Sequence, residues 1–280
     1  MIPVLFTIGP LTIYSYGLMM ALGFIVGDFA IAHDFERRGY KREYASTLVM
    51  WGAIGGIAGS RLLYVADNLP QYLADPKTIV FSGAGFVWYG GLGGGIVATY
   101  IVARYYRIPW LTIADACAPA LALGQALGRV GCQLAGDGDW GLPSKLPWAM
   151  AYPRAIVGWG PQTVLALDSH DNLISGFYPG VRVHPAPVYE TILYLAVFSV
   201  LWTLRKKVQV EGRIFYLYLI LAGASRLMVE FVRINPRVMF GLSEAQVIAI
   251  VMMVVGSGAF LLSGAREPAL EARDVARAAR

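Results

Sequence analysis

The stretch GRVGCQLAGDGDWG, residues 128–141, lies where an apolar segment of the chain ends and a polar one begins. Its first half continues a run of apolar residues but carries Arg129, and its second half holds Asp137 and Asp139 among glycines. An arginine at the end of a membrane-length segment, followed by an acidic glycine-rich loop, predicts a polar site at the edge of an apolar environment.

The composition indicates a membrane protein with several spans. Of the 280 residues, 57% are hydrophobic and 15% are charged, whereas about a quarter of a soluble domain is charged. Residues 1–10 lack the basic segment of a cleavable signal peptide, so we expect the first apolar segment to stay in the product. The two cysteines, Cys117 and Cys132, have no metal-ligand spacing and predict no disulfide framework.

Seven apolar runs are each about long enough to cross a bilayer core of about 30 Å. They lie at about 11–32, 46–66, 86–103, 113–132, 187–204, 213–232 and 243–264. The predicted fold is an all-α polytopic membrane protein with seven transmembrane helices. A Pro- and Gly-rich polar stretch after the fourth helix predicts a small extracytoplasmic head domain. The predicted organisation is helices one to four in 1–136, the head domain in 137–186, helices five to seven in 187–264, and a cytoplasmic tail in 265–280.

The placement of Lys and Arg in the loops predicts the orientation. Loops on one side of the predicted membrane carry fourteen basic residues and those on the other side carry six. Cytoplasmic loops have an excess of Lys and Arg, so the N-terminus and the head domain are expected outside and the C-terminus in the cytoplasm. The net charge of +5 is explained by this topology and does not indicate nucleic-acid binding.

Three basic residues, Arg61, Arg129 and Arg226, fall inside or at the outer ends of predicted spans. A charge at the bilayer centre costs about 2.5–3.5 kcal/mol on insertion scales, so such residues usually face a polar cavity and are candidates for a functional site. The alternative is that their side chains reach from the span ends to the lipid headgroups.

The segment ASRLMVEFVRINP places Arg226, Glu230 and Arg233 at spacing i, i+4 and i+7, along one helix face. An Arg–Glu pair in a membrane segment can simply lock helices together. Two arginines around one glutamate predict a net positive stripe, however, and the arginine fork matches the geometry of a phosphate. Binding of an anionic headgroup is therefore the second interpretation.

Further candidates lie on the same predicted outer side. HPAPVYE opens the fifth span with His184 and Glu190, and His184 is either structural or part of the site. Tyr16 and Tyr89 offer hydroxyl groups near the outer ends of spans one and three. Glycines at GxxxG spacing predict close helix packing, and glycine also lets a ligand approach the backbone. These glycines are Gly52/Gly56, Gly55/Gly59, Gly90/Gly94 and Gly91/Gly95.

The chain resembles the bacterial prolipoprotein diacylglyceryl transferases from residue 9 to residue 250. The landmarks of that family occur here in the expected order. They are YG in span one, GSRLLYV in span two, YGGLGGG in span three, GRVGC ending span four, HPAPVYE opening span five and SRLMVEFVR in span six. Each is weak alone, but six in this order on a seven-span chain form a specific pattern.

The resemblance implies an enzyme of the bacterial cytoplasmic membrane, with phosphatidylglycerol and the lipobox cysteine of a preprolipoprotein as substrates. Such an enzyme transfers the diacylglyceryl group to the thiol and releases glycerol-1-phosphate. The resemblance implies that Arg129 and Arg226 are the essential arginines, and that a further set lines or supports the site: Tyr16, Asp137, His184, Glu190, Glu230 and Arg233. Together with the residue-based candidates, the expected catalytic residues are Arg129, Arg226, Tyr89, His184 and Asp137, and the expected substrate-binding residues are Tyr16, Arg61, Gly90, Gly91, Asp139, Glu190, Glu230 and Arg233. An alkyl transfer of this kind needs no metal, and no cofactor is expected.

The chain departs from the family pattern at three places. Cys132 stands where the signature has asparagine, and Asp137 or Asp139 stands in for a glutamate. Tyr89 replaces a histidine that has been discussed as the base for the thiol. His184, Asp137 and Glu190 are more plausible proton acceptors than a phenol. The alternatives are a lipid transferase with another acceptor, and a non-catalytic transporter or binding protein for anionic lipids.

Overall fold

The protein is mostly helical in the computed structural model, which describes residues 1–9, 11–74, 87–156, 164–167, 173–175, 181–208 and 210–264. Within these residues the chain forms eight helices and three two-stranded antiparallel hairpins. The helices are α1 Ser15–Arg37, α2 Glu43–Asp67, α3 Leu69–Ala74, α4 Trp88–Tyr106, α5 Trp110–Ala135, α6 Ala186–Leu204, α7 Arg213–Glu230 and α8 Glu244–Gly264. The strands are β1 Val4–Ile8, β2 Leu11–Tyr14, β3 Val164–Leu167, β4 Leu173–Ser175, β5 Arg237–Met239 and β6 Leu242–Ser243.

Five of the helices, α1, α2, α5, α6 and α8, are long and apolar enough to cross a membrane. The other two long helices coincide with the predicted third and sixth spans. Helix α4 is rich in glycine and tyrosine, and α7 carries three charged residues, Arg213, Arg226 and Glu230. That α4 and α7 also cross the bilayer stays a prediction.

The start of the predicted first span is wrong, because residues 11–14 form the second strand of a hairpin. Helix α1 begins at Ser15, whose backbone N–H and hydroxyl both donate to the carbonyl of Pro3, at 2.9 and 3.3 Å. These bonds turn the chain back along β1 before the helix starts. The expectation of an all-helical chain therefore needs the addition of three short hairpins.

The chain divides into two compact units, one of Asp28–Ala116 and one of Met1–Gly27 with Cys117–Arg280. In the unit 28–116, α2 and α4 pack with backbones in contact. A Cβ built at Gly94 would collide with the carbonyl of Gly55, and one built at Gly90 with that of Gly59. The prediction of close packing from these glycines is thus confirmed, since any larger side chain would separate the helices.

The core of the other unit joins α5, α6 and α7. Small alanines on α5 leave room for larger side chains from the two other helices. The buried members are Ala118, Ala122, Ala126, Tyr194, Val197, Leu201, Ile214, Tyr218 and Ala222. Helix α8 packs closely on α7 at Gly223, where a side chain would not fit. A Cβ at Gly223 would lie only 2.8 Å from the carbonyl oxygen of Ala249 on α8.

The polar segment after α5 folds onto the ends of these helices where it is described. Trp140, Tyr152 and Val183 form a small buried cluster. The N–H of Gly141 donates to the carbonyl of His184 at 2.8 Å, and that of Leu142 to the carbonyl of Val232 at 2.7 Å. The loop following Asp139 is therefore fixed between the start of α6 and the end of α7. The predicted tail, 265–280, lies outside the described residues.

Candidate functional site

Glu190 is the centre of a cluster of arginines and carboxylates. It lies in the second turn of α6, with its side chain only 1% exposed. Its Oε1 accepts hydrogen bonds from Arg226 of α7 at 2.7 Å and from Arg233 at 3.1 Å. Its Oε2 pairs with Nε of Arg129 at the end of α5. One buried carboxylate thus gathers three arginines, one from the end of α5 and two from the end of α7 and the residues that follow it.

Asp139 binds two of the same arginines from the loop after α5. Its Oδ1 accepts from Arg233 at 2.5 Å, and its Oδ2 pairs with Arg129. Its backbone carbonyl also accepts from Arg233, at 3.1 Å. Burial alone would raise the pKa of Asp139, but Arg233 and Arg129 outweigh burial and hold that pKa below its ordinary value. Asp139 is therefore ionised at neutral pH.

Glu230, the last residue of α7, fixes Arg226 from the other side. Its Oε2 lies 3.0 Å from Arg226 Nη2, and its Oε1 accepts from Ser243 at 2.7 Å and Asn235 at 2.5 Å. The arginine–carboxylate cluster is defined by six residues, all of them predicted site residues. They are Arg129, Asp139, Glu190, Arg226, Glu230 and Arg233.

Asn235 and Ser243 were not among the predicted site residues, although a sequence signal pointed to one of them. Ser243 and Gln246 form a reciprocal cap at the start of α8, with Ser243 N–H donating to Gln246 Oε1 at 3.0 Å and Gln246 N–H donating to Ser243 Oγ at 3.2 Å. This S-x-x-Q pattern is a known helix-start signature. The pattern predicts that Ser243 caps a helix, but it does not predict the contact of Ser243 with Glu230.

The predicted net positive stripe is wrong for this cluster. Three arginines and three carboxylates give it a formal charge of zero, because Glu190 and Asp139 join Glu230. Exposure divides the members into two layers. The side chains of Arg129, Arg226 and Asp139 are 24%, 20% and 30% exposed, and those of Glu190, Glu230 and Arg233 are at most 7% exposed. The two buried carboxylates bind the two partly exposed arginines, and Arg129, Arg226 and Asp139 form the part of the cluster that solvent reaches.

Asp137 and Cys132 lie beside the exposed layer. Asp137 Oδ1 accepts from the N–H of Asp139 at 3.3 Å, and Cys132 Sγ lies 3.9 Å from Arg129 Nη1. The thiol of Cys132 and the carboxylates of Asp137 and Asp139 lie within 4.8 Å of one another. Asp139 is already bound by two arginines, and a cation there would be repelled by them. The expectation that no metal is used stays a prediction.

Tyr16 approaches the same side of α5. A Cβ built at Gly131 would lie 3.2 Å from the Tyr16 ring, so that glycine makes room for the tyrosine. Tyr16 also interacts electrostatically with Arg129 and Asp137. The structure therefore brings Tyr16 close to the cluster, as the sequence predicted.

His184, just before α6, contacts Tyr189 in the first turn of that helix. Its Nδ1 lies 3.2 Å from the Tyr189 hydroxyl, which accepts from Trp148 Nε1 at 2.7 Å. Burial lowers the pKa of His184 below its ordinary 6.5, so the imidazole is mostly neutral at pH 7. In the part of the chain that is described, its ring contacts Tyr189 rather than the arginine–carboxylate cluster.

The remaining predicted site residues, Arg61, Tyr89, Gly90 and Gly91, belong to the unit 28–116. The Arg61 guanidinium lies 5.7 Å from the ring centroid of Tyr64, and the Tyr89 ring makes an edge contact with Trp88. Gly90 serves the close contact with Gly59, whereas Gly91 is less confined. A role for these four residues in the site stays a prediction.

The arrangement is suited to holding an anion. Arg129 and Arg226 come from different helices, and each is fixed by Glu190 while part of its guanidinium stays accessible. Preorganised cationic donors of this kind stabilise a group on which negative charge develops. Asp137 lies next to them as a carboxylate able to take a proton.

Comparison with known proteins identifies the family of the chain. A sequence model of the family described as prolipoprotein diacylglyceryl transferase matches residues 3–262. The phosphatidylglycerol–prolipoprotein diacylglyceryl transferase of Clostridium tetani is 33% identical over 257 residues, which cover 91% of this chain and 94% of the relative. Those of Bordetella bronchiseptica and Dehalococcoides mccartyi are each 32% identical, covering 95% and 92% of this chain and 96% and 92% of the relatives. The chain belongs to the prolipoprotein diacylglyceryl transferase family.

Proposed function

We propose that this protein transfers the diacylglyceryl group of phosphatidylglycerol to the lipobox cysteine thiol of preprolipoproteins, the first step of lipoprotein maturation. The thiol sulfur attacks the glyceryl carbon, the carbon–oxygen bond to the phosphate breaks, and a thioether forms. The thiol proton passes to an acceptor and glycerol-1-phosphate leaves. The observation that carries the proposal is the convergence of Arg129 and Arg226 on buried Glu190.

Arg129 and Arg226 are assigned to the phosphate. The leaving phosphate gains negative charge in the transition state, so guanidinium groups that bind it more strongly there accelerate the step. Glu190 binds both side chains and Glu230 binds Arg226, and both carboxylates are almost fully buried. Arg233 in turn binds Glu190. The attacking cysteine has an ordinary pKa near 8.5 and reacts as the thiolate, so a proton acceptor close to the sulfur assists the step.

Asp137 is the proposed proton acceptor for the thiol, and Asp139 the residue that replaces the family glutamate. Asp139 pairs with two arginines, which weakens it as a base. Asp137 contacts the Asp139 backbone and lies near Cys132, beside the exposed layer. Tyr16 and His184 are proposed to support the same site. For Arg61, Tyr89, Gly90 and Gly91 a role towards the substrates is proposed from the sequence alone.

The proposed topology has seven spans, with the N-terminus and the head domain of residues 137–186 outside and the tail of residues 265–280 in the cytoplasm. The basic asymmetry of the loops supports it. Single cysteines placed in residues 141–156 should react with an impermeant reagent in intact cells. Cysteines placed in residues 266–280 should react only after permeabilisation, and the opposite pattern would reject the orientation.

The activity is tested with purified protein in vesicles containing phosphatidylglycerol labelled in its acyl chains. A lipobox peptide should gain the label, whereas the same peptide with serine for cysteine should not. Vesicles of phosphatidylcholine alone should support no transfer. Binding of the labelled lipid without transfer would favour a lipid-binding protein, and transfer to a different acceptor would favour a variant transferase.

The assignment of Arg129 is tested in the same assay by Arg129→Lys. Lysine keeps the charge but loses the planar fork that reaches both Asp139 and Glu190. We expect most activity to be lost. Arg104→Lys, an equal change at an exposed position of α4, is the matched control and should keep it. Wild-type rates for Arg129→Lys would mean that Arg129 supplies only diffuse charge.

A further inference from the structure

Asp139 differs from the two other carboxylates of the arginine–carboxylate cluster in its access to solvent. Its side chain is 30% exposed, whereas Glu190 and Glu230 are each 1% exposed. Those two project from helices into the packed part of the unit, and Asp139 projects from the loop that follows α5. Of the three carboxylates, Asp139 is the one that an incoming anion can reach.

The charge of the cluster limits what can bind there. With Asp139 in place, three carboxylates balance three arginines. A phosphodiester adds one negative charge, which would leave the partly buried cluster with an unbalanced anion at a considerable desolvation cost. If the Asp139 carboxylate leaves the arginines, the remaining five residues carry a charge of +1, which matches one phosphodiester.

We propose that the Asp139 carboxylate occupies the phosphate position of the site before lipid binds, and that the phosphodiester of the lipid replaces it there. The inference rests on the proposed function, in which Arg129 binds the phosphate. A carboxylate and a phosphate present similar pairs of oxygens to an arginine fork, so Arg129 exchanges one anion for another. Asp139 is then a positioning residue that keeps Arg129 in place until the lipid arrives.

The exchange requires only a side-chain rotation, because the backbone around Asp139 is fixed. The Asp139 carbonyl accepts from Arg233 at 3.1 Å, and its N–H donates to Asp137 at 3.3 Å. Trp140 is buried, and Gly141 is bonded to the His184 carbonyl. Arg129 keeps Glu190 as a partner throughout. Arg233 keeps Glu190 and the Asp139 carbonyl.

The released carboxylate changes its proton affinity. Arg233 and Arg129 hold the pKa of Asp139 low, and loss of these contacts raises it. Anion binding should therefore be accompanied by proton uptake at a pH close to the ordinary pKa of an aspartate, about 3.9.

The probe for the exchange is glycerophosphoglycerol, the deacylated headgroup of phosphatidylglycerol, which carries a single fixed negative charge. Its affinity is measured by calorimetric titration of the purified full-length protein in phosphatidylcholine nanodiscs. Asp139→Asn keeps the size but removes the competing charge, and should tighten binding about tenfold, since a charge-assisted hydrogen bond to the arginines no longer has to be broken. Glu36→Gln, which removes an exposed charge of α1, is the matched control and should leave the affinity unchanged.

The outcomes separate the inference from the proposed function. If the wild-type protein binds the probe and Asp139→Asn binds it equally or more weakly, the exchange is wrong while the phosphate site stands. If the wild-type protein does not bind the probe, or if Arg129→Lys binds it as well as wild type, the phosphate assignment fails and the exchange with it. Titration of the wild-type protein near pH 4, close to the ordinary pKa of an aspartate, in two buffers of different ionisation enthalpy tests the exchange without any variant. Net proton uptake supports it, and the absence of uptake overturns it.

Discussion

Glu190 on α6 accepts a hydrogen bond from Arg226 on α7 at 2.7 Å, across 36 residues of sequence. The pair is only part of the role of Glu190, because the same carboxylate also holds Arg129 and Arg233. Two arginines that are to bind one phosphate need a fixed distance between their guanidinium groups, and one buried carboxylate bound to both provides it. The packing of α6 between α5 and α7 therefore decides the geometry of the site.

Glu190→Gln should destabilise the protein and abolish transfer. The variant leaves three arginines around a neutral amide, and breaking a buried ion pair costs about 3–5 kcal/mol. The measurement is thermal unfolding in detergent together with the rate of thioether formation. Glu43→Gln, at an exposed position of α2, should change neither quantity. A variant at residue 190 with wild-type stability and rate would exclude the central role of this carboxylate.

Gly94→Ala should weaken the packing of α2 on α4, while Gly93→Ala should be tolerated. A Cβ at residue 94 would collide with the Gly55 carbonyl, but nothing lies within 4 Å of a Cβ at residue 93. Overpacking of this kind costs about 1–3 kcal/mol, which unfolding measurements on the two purified variants can resolve. Equal stability of both variants would contradict the backbone contact between the helices.

Tyr89→Phe should slow transfer moderately if residue 89 orients a substrate without taking a proton. A phenol with a pKa near 10 donates better than it accepts, and the loss of one hydrogen bond costs about 0.5–1.5 kcal/mol, or up to about tenfold in rate. Tyr89→His should be tolerated, because imidazole can also donate. Initial rates across a pH series distinguish the roles. A folded but inactive Phe variant, rescued by His with a new titration near pH 6–7, would identify residue 89 as the base.

Acid should lower the free energy of unfolding of the protein through His184. Because burial lowers the pKa of His184 below 6.5, the unfolded chain binds more protons than the folded one just below that value. The stability due to the neutral imidazole is complete above pH 6.5 and is lost as the pH falls through the lower folded pKa. Unfolding curves from pH 7.5 to 5 should show a smaller decrease in stability for His184→Gln than for wild type. An unaltered decrease in His184→Gln would refute the assignment.

The sequence by itself determined the helical membrane character, the family and the six members of the arginine–carboxylate cluster. Long apolar runs indicate segments that lie in lipid. Charged residues are rare inside such runs because they are costly there, so Arg129 and Arg226 could be chosen as candidate site residues without a structure. The GxxxG spacings likewise predicted close helix packing, because periodicity along a helix fixes which residues share a face, and the structure shows that α2 and α4 are the two helices in contact.

Tertiary structure alone decided the charge balance of the site and the partner of each side chain. Local spacing predicted a positive stripe around Glu230, but Glu190 and Asp139 reach the same arginines from other segments and cancel its charge. Helical periodicity also predicted neither the contact of Ser243 with Glu230 nor the strand at residues 11–14. The physical reason is that electrostatic interactions depend on distance in space, and the distance between α5, α6 and α7 is set by their packing rather than by any one segment.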